Sequence, residues 1–241
     1  SSGTTCLETS RKSPCSLSAC GGARVEGAEL TSTLIEASGF EKVEGPVTLS
    51  PLDNGTYEIN AQTFDKVILA CGAWLGQTLE PLGFDVDVRP QKGQLRDYFF
   101  EGMDTGRLPV LMPEGELDVI PFAGGKISVG ASHENDQGFD LTVDETVLAS
   151  LEEEAKTYFP DLSTAKSFSE RVGTRAYTSD FSPFFGEVPE LESVFVASGL
   201  GSSGLTTGPL IGKNLVELAM NRPGSLDSSD YPVSQYVKKK D

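Results

Sequence analysis

Three glycines near the end of the chain have the spacing of a nucleotide-binding loop. The stretch ASGLGSSGLTTGP, residues 197–209, contains Gly199, Gly201 and Gly204 in the pattern Gly-x-Gly-x-x-Gly. In dinucleotide-binding proteins this loop joins a strand to a helix, and backbone amides at the helix N-terminus bind the pyrophosphate. Two other interpretations stay open: a glycine-rich turn without a ligand, and a loop whose amides face another electron-rich group, such as the carbonyl edge of a flavin ring.

The elements on either side of the loop test the dinucleotide interpretation. The apolar run VFVAS at 194–198 predicts a buried strand, and Pro209 is typical of the first turn of a helix. The apolar face of that helix consists of Ile211, Leu215, Leu218 and Ala219. A dinucleotide fold needs a second parallel strand after the helix, and the polar stretch from Pro223 onward is unsuited to one. The sequence therefore favours another ligand for the loop, or none.

Hydrophobic periodicity predicts both helices and strands in the rest of the chain. Leu30, Leu34 and Ala37 share one face of a predicted three-turn helix that Gly39 ends. The continuous apolar run VILA at 67–70 predicts a strand that is covered on both faces of its sheet.

Further strands and turns are predicted in the middle of the chain. They lie in VTLSPLDNGTYEIN (47–60), in VDVRPQKGQLRDYFF (86–100), which contains Gly93, and in LDVIPFAGGKISVG (117–130), which turns at Gly124 and Gly125. Thr142 and Glu145 have the spacing of a capping box before a helix that Pro160 stops. This region is therefore predicted to be mainly antiparallel sheet.

Composition and charge exclude several function classes. The chain of 241 residues has 36 acidic and 19 basic residues, for a formal net charge of −17, which disfavours nucleic acid and anionic lipid as partners. The basic run at 238–240 is interpreted as a solvated tail. No apolar run spans a membrane and no signal peptide is evident, so a cytoplasmic protein is expected. Four cysteines, of which Cys71 is expected to be buried and inert, and the single His133 fit no metal site.

Five motifs together resemble one family of flavoenzymes. They are FDKVILACGAWLGQTLEPLG (64–83), VDVRPQKGQL (86–95), IPFAGGKISVGASHENDQGFD (120–140), GTRAYTSDFSPFFG (173–186) and VFVASGLGSSGLTTGPLIGKNLVELAM (194–220). Their order and spacing between Arg24 and Arg222 are similar to those of the D-amino acid oxidase-like FAD-dependent oxidoreductases, and most similar to the bacterial branch that includes glycine oxidase.

The resemblance implies a fold and a division into domains. The expected class is α/β (α+β mixed), with a partial Rossmann-like FAD-binding domain and a substrate domain built on a mainly antiparallel sheet. The predicted segments are a lead-in at 1–21, the FAD-binding domain at 22–88 and 185–222, the substrate-binding domain at 89–184 and a tail at 223–241. No Gly-x-Gly-x-x-Gly segment occurs near residue 1, so the chain is expected to correspond to the C-terminal two thirds of a family member.

The resemblance also implies roles for individual residues. Arg175 would bind the substrate carboxylate through its planar guanidinium, and Ala176 replaces the proline that usually follows this arginine. His133 and Tyr177 are further candidates for the substrate site. The residues expected to contact FAD are Ala70, Gly72 and Trp74, and, at the flavin edge, Gly199, Leu200, Gly201, Ser202, Ser203, Gly204, Leu205 and Thr206.

The implied reaction is oxidation of the C–N bond of an amine or amino acid. A hydride passes from the amine-bearing carbon to flavin N5, and water hydrolyses the resulting imine, so the protein mainly orients a small-molecule substrate of the glycine, D-amino acid or N-methyl amino acid class. Two alternatives stay open. One is a non-catalytic remnant or binding module of the same fold, and the other is a nicotinamide dehydrogenase that uses the glycine loop.

Overall fold

The computed structural model describes residues 24–240, and the predicted lead-in at 1–21 lies outside them. The helices in this range are α1 (Gly27–Ser38), α2 (Leu75–Leu79), α3 (Glu145–Tyr158), α4 (Gly204–Ala219) and α5 (Val233–Tyr236). The strands in this range are β1 (Ser50–Pro51), β2 (Tyr57–Ile59), β3 (Gln62–Phe64), β4 (Val67–Leu69), β5 (Phe84–Val86), β6 (Arg89–Phe99), β7 (Asp118–Pro121), β8 (Lys126–Gly130), β9 (Lys166–Tyr177), β10 (Phe184–Glu187), β11 (Val194–Ser198) and β12 (Val237–Lys239). None of the helices within residues 24–240 is long and apolar enough to cross a membrane.

The described chain divides into two compact units. Unit 1 contains residues 24–39, 94–132 and 144–171, and unit 2 contains residues 40–93, 133–143 and 172–240. Strands β6 and β9 each begin in one unit and end in the other. The sequence groups α1 with the flavin-binding segment, whereas the structure groups it with unit 1. The assignment of segments to flavin binding and substrate binding stays a prediction.

Unit 1 is built on antiparallel sheet. The strand order is β7-β8-β6-β9, with β8 antiparallel to both β7 and β6. The β7–β8 hairpin turns where Gly124 and Gly125 have φ values of 75° and 86°, as the sequence predicts. Helix α3 packs its apolar face on the core of this unit, which includes Ile127, Val129 and Leu151. The predicted mainly antiparallel middle of the chain is thus confirmed.

The cap of α3 differs from the predicted one. The side chain of Asp144, and not that of Thr142, accepts hydrogen bonds from the amides of Thr146 (2.8 Å) and Val147 (3.3 Å). Thr142 instead donates its amide to Asp140 over 2.9 Å. The capping-box prediction is wrong because an aspartate immediately before the helix satisfies the same orphan amides with a shorter reach.

A buried carboxylate, Asp97, joins several polar side chains of unit 1. Asp97 accepts hydrogen bonds from the Ser128 hydroxyl (2.5 Å) and from Arg171 (2.9 Å), and Lys126 lies 3.5 Å away. Burial by itself would raise the pKa of Asp97. The hydrogen bonds from Ser128 and Arg171 and the two positive charges outweigh burial and lower this pKa below its ordinary value.

We expect Asp97→Asn to lower the free energy of unfolding at pH 7 by about 2 kcal/mol, because a charge-assisted hydrogen bond to Arg171 becomes a neutral one. A carboxyl whose pKa is depressed by folding stabilises above the pKa of the unfolded chain, and the contribution is lost as pH falls through the folded pKa. Urea denaturation between pH 7 and pH 3 should therefore show a shallower acid loss in Asp97→Asn. If the free energy of unfolding falls with pH by the same amount in both proteins, the lowered pKa of Asp97 is wrong.

Helix α1 forms where the sequence predicts it, but its apolar residues are not covered. Gly39 ends it with a φ of 65°, which is the expected left-handed cap. Along the whole of α1, which lies inside the described residues, no side chain is buried, and Leu34 is 51% exposed. Periodicity indicates which side chains share a face and says nothing about what lies opposite that face.

The central sheet of unit 2 joins distant parts of the chain. Its order is β10-β11-β4, with β11 parallel to β4 and antiparallel to β10. Val67 and Leu69 on β4 are buried, whereas Ile68 between them is 41% exposed. The prediction that both faces of β4 are covered is wrong in the described structure, where only one face packs on the core of unit 2.

The remaining strands of unit 2 lie in two small sheets. The predicted hairpin at 47–60 is confirmed as β1 and β2, and β3 extends it. At the other end, β12 pairs antiparallel with β5, and Val233, Tyr236 and Val237 are buried in the core. Part of the segment predicted as a tail at 223–241 thus packs on the core of unit 2, whereas the lysines at 238–240 are exposed. Lys240, just after β12, lies 3.4 Å from Asp85 and 3.5 Å from Glu80, so this lysine pairs with acidic residues of unit 2.

Candidate active site

Unit 2 contains a cavity of about 240 Å³ at the end of strand β11. Its lining comes from four segments that are far apart in the sequence: β6, the segment after β8, the end of β9 with the loop that follows, and the glycine loop. The lining residues are Gln91, His133, Tyr177, Phe181, Gly199, Leu200, Gly201, Ser202 and Ser203. Five of the eight predicted flavin-edge residues, and both further substrate-site candidates, thus meet at one place.

The glycine loop presents its backbone to this cavity. Gly199 and Gly201 have φ values of 74° and 53°, in the left-handed region that favours glycine. The loop continues through one turn of 3-10 helix, Gly201–Ser203, into α4. Helix α4 therefore starts earlier than predicted, and Pro209 lies inside it rather than in its first turn. The predicted residues Gly204, Leu205 and Thr206 belong to that first turn.

The N-terminus of α4 suits an electron-rich ligand. The side chain of Ser203, its N-cap residue, makes no capping hydrogen bond, and the first turn of this described helix has no acidic residue. The first amides of a helix lack partners within the helix, and its dipole is positive at that end. The Ser203 amide already donates to the Leu200 carbonyl over 3.0 Å. The small residues Gly201, Ser202 and Ser203 line the cavity just before this helix end, so the residues present are compatible with the polarised edge of the FAD ring at this position.

Parallel pairing brings the two strand ends of the sheet together. Because β4 and β11 run in the same direction, Gly72 and Gly199 follow strands that end at the same edge. The Ser198 hydroxyl donates to the Gly72 carbonyl over 3.0 Å and holds the two ends in place. Trp74, 46% exposed, stacks on Phe139 with 4.9 Å between ring centroids. Within the described residues, Ala70, Gly72 and Trp74 lie outside the lining of the cavity, and their predicted contact with FAD stays a prediction.

Backbone pairing positions His133 at the cavity. Its neighbour Glu134 exchanges two backbone hydrogen bonds with Lys92 on β6, of 2.9 Å and 3.0 Å. Two positions before Gly93 on the same strand, Gln91 lines the cavity and donates from Nε2 to Oδ1 of Asn135 over 2.8 Å. The segment that carries His133 is thus fixed along β6.

An aromatic pair forms another wall of the cavity. Tyr177 and Phe181 stack with 5.6 Å between their centroids and an angle of 19° between their planes. Phe181 has a φ of 60°, and its loop is held by Asp180, which accepts from the Ser182 amide and the Tyr236 hydroxyl. The backbone hydrogen bond from Ser182, followed by those of the Tyr236 and Thr178 hydroxyls, lowers the pKa of Asp180 below its ordinary value. This anchor therefore stays ionised at neutral pH.

Arg175 lies on the face of β9 that borders the cavity. Alternate residues of a strand point to the same face, so Arg175 shares the face of Tyr177, and Gly93 on β6 shares the face of Gln91. The Arg175 guanidinium packs against Gly93, since a Cβ placed there would lie 2.5 Å from Nη1. Arg175 itself is not among the described residues that line the cavity, and its role in carboxylate binding stays a prediction.

Sequence reasoning missed Gln91 and Phe181 as site residues. Gln91 lies in a predicted strand and Phe181 in a predicted loop, and neither pattern carries a chemical signature. Gly93 did have a signature, because glycine inside a strand often marks the close approach of another group. Among residues 24–240, no cluster of three or more His, Cys, Asp and Glu side chains is arranged to hold a metal ion.

Comparison with known proteins identifies relatives of this chain. The model of a family described as "DAO: FAD dependent oxidoreductase" matches residues 11–218. The uncharacterized oxidoreductase YurR of Bacillus subtilis is 36% identical over 220 residues, which are 88% of this chain and 59% of that protein. Glycine oxidase of Pseudomonas aeruginosa is 30% identical over 167 residues, which are 69% of this chain and 45% of that protein.

A solved structure has the same fold. The crystal structure of iminodiacetate oxidase (IdaA) from Chelativorans sp. BNC1 matches with a TM-score of 0.83 and 31% identity, over 88% of this chain and 60% of that chain. The predicted fold class and the family resemblance are both confirmed. The chain spans about three fifths or less of the length of these three proteins. Since the family model covers most of the sequence, the chain belongs to the DAO family of FAD dependent oxidoreductases, for which FAD is the cofactor.

Proposed function

We propose that the chain supplies the substrate-binding face and the flavin-facing loop of an oxidoreductase that oxidises the C–N bond of an amine or amino acid. The observation that carries the proposal is the cavity of unit 2, where the glycine loop that leads into α4 meets His133 and Tyr177. Family membership supports FAD as the electron acceptor, and the names of the relatives, glycine oxidase and iminodiacetate oxidase, support an amine substrate.

The chemistry of the candidate substrates points to Arg175. Glycine, iminodiacetate and D-amino acids all carry a carboxylate on the carbon next to the amine. A guanidinium binds a carboxylate through two parallel charge-assisted hydrogen bonds, which fixes both position and orientation. Arg175 would therefore hold the shared part of these substrates and leave the amine-bearing carbon free to approach the cavity.

The other walls would orient the substrate and limit water. Stacked Tyr177 and Phe181 give an aromatic side to the cavity. When bound, FAD supplies the acceptor for the two electrons and the hydrogen removed from the substrate. The amides of Gly201 and Ser202 would hold the electron-rich edge of its ring, which the positive end of α4 favours.

This proposal predicts that the chain binds the flavin ring rather than the adenosine half of FAD. Riboflavin fluorescence should be quenched saturably by the chain, and ADP should not compete. Ser202→Trp places a bulky side chain in the cavity wall and should abolish the quenching. Ser167→Trp, on an exposed position of unit 1, is the matched control and should leave the quenching unchanged.

Oxidation itself is tested with FAD and an artificial electron acceptor. Glycine, iminodiacetate and D-alanine should each be compared with the corresponding amine that lacks a carboxylate, and reduction of the acceptor should be followed. Binding of riboflavin without turnover would favour the non-catalytic binding module. If neither riboflavin nor a carboxylate binds, the proposed function is wrong.

A further inference from the structure

Gly93 lies directly against the head group of Arg175. A Cβ built on Gly93 would be 2.5 Å from Nη1, 2.8 Å from Cζ and 2.9 Å from Nη2 of Arg175. All three distances are below 3.0 Å, so a Cβ at this position requires a shift, and the atoms that would move are the far end of the flexible Arg175 side chain. The guanidinium therefore occupies the space in which any other residue at position 93 would carry its side chain.

The backbone gives no other reason for glycine at this position. Gly93 is inside β6 and its φ is not in the left-handed region. Glycine within a strand is destabilising relative to alanine, because it loses more backbone entropy on folding. Gly173 on β9 offers a direct comparison, because a Cβ there would meet no atom within 4 Å. Gly93 therefore differs from Gly173, because at Gly93 the arginine head group occupies the position that a Cβ would take.

We propose that Gly93 is a positioning residue that seats the Arg175 guanidinium against β6 and so fixes where a substrate carboxylate binds. This inference rests on the proposed role of Arg175. A methyl group at position 93 would displace the guanidinium by on the order of 1 Å, and misplacement of this size can cost about 100-fold in the function of an oriented group. Arg175 would keep its charge but lose the orientation that two parallel hydrogen bonds require.

The test is a double-mutant cycle with benzoate, a carboxylate whose ring suits the wall formed by Tyr177 and Phe181. Its affinity is measured by calorimetry for the chain saturated with FAD. We expect Gly93→Ala and Arg175→Ala each to weaken benzoate binding by about ten-fold or more. Gly93→Ala should have no further effect in the Arg175→Ala background, whereas a general loss of structure would weaken binding in both backgrounds. Gly173→Ala is the control and should change affinity less than two-fold.

The outcomes separate the inference from the proposed function. If Arg175→Ala weakens benzoate and Gly93→Ala does not, Gly93 has no positioning role and the proposed function stands. If Arg175→Ala has no effect, carboxylate binding by Arg175 is wrong and the inference falls with it. Should Gly93→Ala fail to fold, the double variant decides, because removal of the guanidinium vacates the space for the methyl group. Recovery of folding in the double variant supports the contact, and continued misfolding overturns it.

Discussion

Arg175→Ala should raise the KM for an amino acid substrate by about 30- to 1,000-fold. Truncating one partner of a hydrogen-bonded charge pair costs about 2–4 kcal/mol, since the carboxylate loses two charge-assisted bonds in a partly desolvated site. Arg175 is half-buried on the strand face that borders the cavity, so solvent screens the pair only partly. The amine that lacks the carboxylate should show the same KM with both proteins. Steady-state kinetics with D-alanine and ethylamine measure the two effects in parallel.

Two further variants make the test of Arg175 specific. Arg175→Lys keeps the positive charge but cannot donate two parallel hydrogen bonds to a carboxylate. Its KM for D-alanine should therefore lie between those of the parent and Arg175→Ala. Arg89→Ala removes an exposed arginine of unit 2 that lies 3.7 Å from Asp87, and it should leave KM within two-fold of the parent. Equal effects on D-alanine and ethylamine would show that Arg175 does not contact the carboxylate.

Phe184→Ala should destabilise unit 2 by about 3–5 kcal/mol. The Phe184 side chain is fully buried and stacks on Tyr236 with 4.8 Å between ring centroids. Removing a buried aromatic ring costs both its transfer free energy and the cavity that is left behind. The ring contacts a core built from β4, β11 and α5, so the surroundings have little freedom to collapse into the space. Urea denaturation followed by circular dichroism measures the loss.

The matched control is Phe181→Ala, in the same unit. Phe181 is 66% exposed, so its removal should change the free energy of unfolding by less than about 1 kcal/mol. Phe184→Leu retains most of the buried volume and should cost clearly less than alanine. If Phe184→Ala and Phe181→Ala have the same free energy of unfolding, the description of Phe184 as a buried core residue is wrong.

Local sequence patterns predicted the helices and strands of this protein better than they predicted which of their side chains are buried. The spacing of Leu30, Leu34 and Ala37 predicts α1, and the alternating and continuous apolar runs predict most strands, because these patterns depend on neighbouring residues only. Whether Leu34 or Ile68 is covered depends on segments far away in the sequence. Both side chains are exposed in the described structure, and no local pattern contains that information.

The candidate site likewise contains residues that local motifs identify and residues whose role depends on distant segments. The motifs identify the glycine loop, Arg175, His133 and Tyr177, and three of these four features line one cavity, whereas Arg175 is not among its described lining residues. Phe181 was missed because an aromatic residue in a polar loop is common, and its role depends on the turn that Asp180 anchors. Gly93 matters only through the pairing of β6 with β9, which brings it against a residue about 80 positions away.

The pairing of β12 with β5 has a consequence for how the protein is made. Every described segment of unit 1 precedes residue 172, whereas the core of unit 2 includes Val233, Tyr236 and Val237. Chains are synthesised from the N-terminus, and domains fold as units once their segments are available. Unit 1 can therefore complete its core before residues 233–237 are synthesised, whereas the core of unit 2 is complete only after they are.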